Sequence, residues 1–254
     1  MSQPMPLANV FAFLRKNRRW NQEFQEQEYV RNLSHSRGSC GWLMNLLHMT
    51  VNTQSAPKLD KLGDFWRFMD QFKQSNPSTR KEFIDQLEGG INLTLGDVKT
   101  WERLFRALRA QPGWGDKTAA LFVKSAIKIH RGPKELHFWS DLDVDVPIDP
   151  EDKIYLPVDA VIKHVFESTG LISRPSFRSV NCLLMDHYDP EEMLLWDDLW
   201  FWGYFTQNSQ EKNRTMSWNR NKFWCQPSSP TSDESEIKIL CEEFIDLIKA
   251  AKAT

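Results

Sequence analysis

Five residues, Gln111-Pro112-Gly113-Trp114-Gly115, join two stretches of helical apolar spacing, and Lys117 follows almost at once. Two glycines around one residue let the backbone turn tightly and approach a partner, and the helix that begins next presents free N–H groups suited to a phosphate. An ordinary helix connection with a solvated first-turn lysine uses the same residue types. A lysine becomes a nucleophile only after losing its proton, which burial beside other cations promotes. Farther on, Ile154-Tyr155-Leu156-Pro157-Val158-Asp159 leads into a run in which Ile162, Val165 and Phe166 share one face. Asp159 suits a helix N-cap. Val146-Pro147-Ile148-Asp149 repeats the pattern, but Pro150 follows and Pro157 cuts off any helix it starts, so Asp149 is kept as the alternative.

Other candidates carry less. Asp141, Asp143 and Asp145 have the spacing of a calcium loop, yet Val146 stands where glycine is needed and Asp152 where a glutamate is needed. His48, His130, His137 and His164 show no metal-ligand spacing, and Cys40, Cys182, Cys225 and Cys241 form no CxxC pair, so we expect no metal, no iron–sulfur cluster and no other cofactor. Arg214, Trp218, Arg220, Lys222, Phe223 and Trp224 interleave basic and aromatic side chains, which suits phosphate contact and base stacking as well as an ordinary tethered loop. Arg15, Lys16, Arg18 and Arg19 form a basic run that would extend a phosphate track or be simply solvated.

The elements that position these residues follow from periodicity. Apolar residues recur at helical spacing almost throughout, as in Leu62, Phe65, Trp66, Met69 and Phe72, while strand-like alternation is nearly absent. The spacing predicts helices over about 19–32, 38–50, 59–74, 78–88, 97–110, 116–130, 159–168, 176–187, 190–206 and 235–252, with a long loop over 207–234. The fold class is therefore all-α. We expect residues 1–254 to form one compact, two-lobed helical body with a groove between its lobes. The chain has 41% hydrophobic and 26% charged residues and a net charge of −2, a composition that excludes disorder and coiled coil as overall descriptions. Between Lys99 and Lys134, however, nine basic residues face two acidic ones, a local charge of +7 that includes Arg106, Arg109 and Lys124 and suits a nucleic-acid backbone. The most apolar late stretch carries Asp197 and Asp198 and is too short to span a bilayer. With unclustered cysteines and no secretory pattern at the N-terminus, we expect a cytoplasmic protein with no membrane partner.

The hairpin with its lysine, followed by an apolar-Pro-Val-Asp helix start, resembles the helix-hairpin-helix/Gly-Pro-Asp superfamily of DNA glycosylases over about residues 97–170. The longer connection between the two motifs and the lack of a cysteine cluster make it most similar to the archaeal oxidised-guanine (8-oxoguanine) glycosylases. The resemblance implies a monomeric enzyme that bends duplex DNA, flips out a modified base and cleaves its N-glycosidic bond, with Asp159 as the catalytic carboxylate. It implies that Lys117 is the Schiff-base lysine of a bifunctional glycosylase and AP-lyase. Pro112, Gly113, Trp114 and Gly115, with Arg106, Arg109 and Lys124, would hold the DNA, and the C-terminal helices over 176–254 would complete the groove. An acid and an aromatic on a late helix would read the extruded base, here Asp198 and Trp202, with Trp101 and Phe122 as further candidates for the pocket. Oxidised guanine is the implied substrate, and a hypermodified base of phage DNA, removed in antiviral defence, is the second. The alternative is a non-catalytic helix-hairpin-helix module in which Lys117 touches phosphate and Asp159 only caps.

Overall fold

The structure is a computed structural model that describes residues 5–36, 38–75, 77–142, 146–208, 214–226 and 233–252. Asp143 and Asp145 of the calcium-like spacing lie outside the described residues. The described residues are helical: α1 Met5–Lys16, α2 Arg18–Leu33, α3 Gly38–Asn52, α4 Leu59–Ser75, α5 Arg80–Gly89, α6 Thr100–Arg109, α7 Asp116–His130, α8 Ala160–Ser168, α9 Phe177–Met185, α10 Pro190–Trp196, α11 Asp198–Phe205, α12 Arg220–Trp224 and α13 Glu234–Lys252. A 3-10 turn, Lys134–Leu136, follows α7. The β-type pairing among the described residues is an isolated bridge between Gln207 and Met216. The chain is all-α.

Contacts divide it into two compact units, residues 28–157 and residues 1–27 with 158–254, so one boundary falls inside α2 and the other between Pro157 and Val158. The 97–170 region is therefore shared between units.

In the 28–157 unit α7 is the central helix, packed by α3 and α6, with α5 on α6. Its residues Ala119, Ala120, Phe122, Val123, Ala126, Ile127 and Ile129 are all buried, too wide a set for one amphipathic stripe and the mark of a helix covered on most sides. α6 is the opposite case. Trp101, Leu104, Phe105 and Leu108 are buried at i, i+3, i+4 and i+7 while Arg106 and Arg109 face out. The connection between α7 and residue 157 returns to close two helix starts. Asp141 accepts the backbone N–H of Arg80 at 2.7 Å at the start of α5, beside that helix's own Thr79/Glu82 capping box. Asp152 accepts N–H groups from Trp101 and Glu102, each at 2.9 Å, where α6 has no side-chain cap of its own at Lys99.

In the other unit, α11 packs on α8, α12 and α13, and α1 packs on α13 and α10. The predicted first helix begins near 19, and the structure adds α1 ahead of it, with Leu7, Val10, Phe13 and Leu14 buried and Pro6 tolerated in the first turn, where no intrahelical N–H is required. The single helix expected over 190–206 is two, α10 and α11, parted at Asp197. Asp197 keeps helical dihedrals (φ −61°, ψ −25°), but its side chain and that of Asp198 turn to amides on α2 rather than to solvent. The long loop expected over 207–234 contains α12, started by Asn219, whose side chain accepts the N–H of Lys222.

Candidate functional site

The hairpin is built from the end of α6. Gln111 is buried, and its amide donates to the carbonyls of Leu87 (2.9 Å) and Ala107 (3.0 Å), fixing where α6 stops. Gly113 has φ +81°, and a Cβ there would come within 2.7 Å of Leu62, so both conformation and space demand glycine. Trp114 turns inward, edge-on to Phe65 and Phe122. Gly115 is the extended N-cap of α7 and supplies no side chain to its first amides. Lys117, in that first turn, is partly exposed and donates to the carbonyl (3.2 Å) and hydroxyl (2.5 Å) of Thr53. Beside the hairpin, Leu93, Phe105, Arg106, Arg109, Trp114 and Tyr155 line an open cavity of about 640 Å³.

Lys99, Arg103, Arg106 and Arg109, four of the nine basic residues of the positive segment, stand in ion pairs. Lys99 binds Asp149 (2.7 Å) and Glu151 (3.1 Å), Arg103 binds Glu88 (2.6 Å) and Asp85 (3.1 Å), Arg106 binds Glu102 (2.5 Å), and Arg109 binds Asp116. Asp85, Glu88, Asp149 and Glu151 lie outside the segment in sequence, so the local sum of +7 overstates the charge the folded surface presents. Lys124 is buried.

Asp159 is the N-cap of α8, with extended backbone (φ −105°, ψ −168°). Its Oδ1 accepts the N–H groups of Val161 (2.8 Å) and Ile162 (3.0 Å), and its Oδ2 accepts the indole N–H of Trp200 at 3.1 Å. Trp200 stacks on Tyr204, ring centres 4.9 Å apart and planes 18° from parallel. The Lys222 amine stands 4.8 Å from the centre of the Tyr204 ring and donates to the Tyr204 carbonyl at 3.1 Å. Burial lowers the pKa of Lys222 and the Arg214 charge lowers it further, while Asp159 opposes both. Asp149, by contrast, is exposed, starts no helix and is held below the usual carboxylate range by its hydrogen bond from Lys99 and by the N–H of Glu151.

The expected base-reading residues occupy two environments. Asp198 is buried and accepts from the Asn21 amide at 2.5 Å; Gln25 bridges Asn21 (3.0 Å) and Asp197 (2.9 Å), completing a buried polar cluster of α2 with the α10–α11 junction. Trp202 is fully buried, edge-on to Phe13 and Phe201. Trp101 is buried beneath the Arg80 guanidinium, 4.4 Å from its ring centre, and Phe122 is fully buried among Phe83, Trp114 and Trp139.

Lys117 and Asp159 stand out in the sequence, whereas the residues that hold them, Thr53 and Trp200, and Asn21 and Gln25 beside Asp198, do not. Trp200 and Tyr204 are an i, i+4 aromatic pair, a signal present in the sequence but masked by the aromatic residues around it. Among the described residues no group of three or more His, Cys, Asp or Glu side chains is placed to hold a metal ion, and no helix is long and apolar enough to cross a membrane. The chain matches no protein-family model, no curated protein and no solved structure.

Proposed function

We propose that the protein is a DNA glycosylase that excises a modified base from duplex DNA. The observation that carries this reading is the Asp159 carboxylate. It stands at a helix start, half-buried and held on both oxygens, which is the preorganisation that lets a fixed negative charge stabilise an oxocarbenium-like sugar as the base leaves. The α6–α7 hairpin supplies the second part, with a left-handed Gly113 and, at the start of α7, the N-cap Gly115, which puts no side chain between the helix start and a DNA phosphate. Lys117 supplies the amine. In the lyase step its lone pair attacks C1′ as the base departs, the sugar ring opens to an imine, and loss of a C2′ proton expels the 3′ phosphate. Oxidised guanine is the favoured substrate class and a hypermodified phage base the second.

The contacts of two residues favour a non-catalytic DNA-holding module instead: Lys117 is satisfied by Thr53, and Asp159 Oδ1 caps α8. Mass spectrometry of bases released from a panel of modified duplexes and modified phage genomes separates the readings. Release of one base, with a borohydride-trapped adduct that disappears in Lys117→Gln, is the expected result; binding without release supports the module.

A further inference from the structure

We propose that Trp200 is the positioning residue of Asp159, its indole N–H fixing the direction in which the carboxylate presents its charge; this deepens, and rests on, the glycosylase reading. Capping alone leaves the carboxylate incompletely held. Both capping amides bind Oδ1, so Oδ2 would be free to swing as the side chain rocks about its outer torsion, which is a broad and soft one for aspartate. Trp200 removes that freedom at 3.1 Å. The tryptophan is itself held, since Phe24 packs on its ring at 6.5 Å and Tyr204 stacks at 4.9 Å, with Lys222 anchoring Tyr204 through the carbonyl hydrogen bond. Phe24, Trp200, Tyr204 and Lys222 thus form a ladder whose inner rung, Trp200, meets the carboxylate.

The contact is also not a by-product of burying an indole. The buried indole N–H groups of Trp114, Trp139, Trp196 and Trp202 make no hydrogen bond among the described residues, so at these four positions an indole is buried without its N–H being directed to a partner. Trp200 is less buried than those four, yet its donor meets the one carboxylate that starts α8. An indole is a donor only, so it complements a carboxylate oxygen without competing for the sugar's developing charge.

Two measurements test this. In Trp200→Phe, single-turnover base release is expected to fall roughly 10- to 100-fold, the scale of losing one hydrogen bond to a charged group, with duplex affinity within about twofold of wild type. Thermal unfolding of the variant is recorded alongside. The second measurement needs no catalysis and uses a variant that keeps the helix start: Asp159→Ser retains a good N-cap but lacks the second oxygen. Solvent exchange of the Trp200 indole proton, followed by NMR, is expected to accelerate at least about tenfold in that variant. Unchanged exchange in Asp159→Ser, or full-rate release by Trp200→Phe, overturns the inference. Wild-type protein that releases no base overturns the glycosylase reading and Trp200's catalytic purpose with it, and the exchange result tells that failure apart from loss of the contact.

Discussion

Asp152 caps the helix whose second residue, Trp101, lies 51 positions before it: its Oδ2 accepts the N–H of Trp101 at 2.9 Å, and its Oδ1 takes the next amide, that of Glu102. The carboxylate is buried, and it replaces the cap that Lys99 cannot provide. The connection between α7 and residue 157 therefore holds the start of α6, the helix that delivers the hairpin.

Asp152→Ala should destabilise the protein by about 1.5–3 kcal/mol, the range for buried hydrogen bonds to a charged group. Denaturant unfolding with equal m-values in both proteins checks it. Stability within about 0.5 kcal/mol of wild type, the size of an ordinary surface change, contradicts the capping role.

His130 makes stability depend on acid. The ring is 2% exposed, stacked on Trp139, and its pKa falls from 6.5 to about 3 because burial, then the His137 and Arg80 charges, disfavour the imidazolium. The unfolded chain takes up a proton near pH 6.5 and the folded chain does not until about pH 3, so this contribution is fully present above 6.5 and is lost as pH falls toward 3. The expected slope is about 1.4 kcal/mol per pH unit across that window. His130→Phe should flatten it, and an unchanged slope in the variant would falsify the assignment.

For the proposed complex with DNA, the basic side chains of Arg106 and Arg109 are already paired. Arg109 must exchange Asp116, and Arg106 must exchange Glu102, for a phosphate, so each adds less than a free cation would. Arg109→Gln should lower the slope of log affinity against log salt by less than about 0.9, the value for one fully neutralised phosphate. A drop of a full unit or more in titrations across salt concentrations contradicts this.

Most of the helical architecture was legible because apolar spacing near 3.6 is a local signal. α7 is predicted over 116–130 and found over Asp116–His130. What escaped is non-local or degenerate. Nothing near Lys99 announces that Asp152 will cap α6, and the charge of the 99–134 segment was countable while its partners, brought in from α5 and from residues 149–151, were not. In the 196–205 run, aromatic side chains cover every face, so periodicity does not separate Trp200 from Trp202. Two residues apart, they point roughly 200° around the helix from each other. Trp202 enters the core against Phe13, while Trp200 reaches Asp159.

Whether Asp159 carries base excision is decided by single-turnover release of a modified base, quantified by mass spectrometry, from wild type, Asp159→Asn and Asp149→Asn on the same duplex. The expected result is release by wild type, a loss of at least about 100-fold in Asp159→Asn with duplex affinity retained, and near-normal release by Asp149→Asn. Equal release by wild type and Asp159→Asn, or a loss confined to Asp149→Asn, would contradict it.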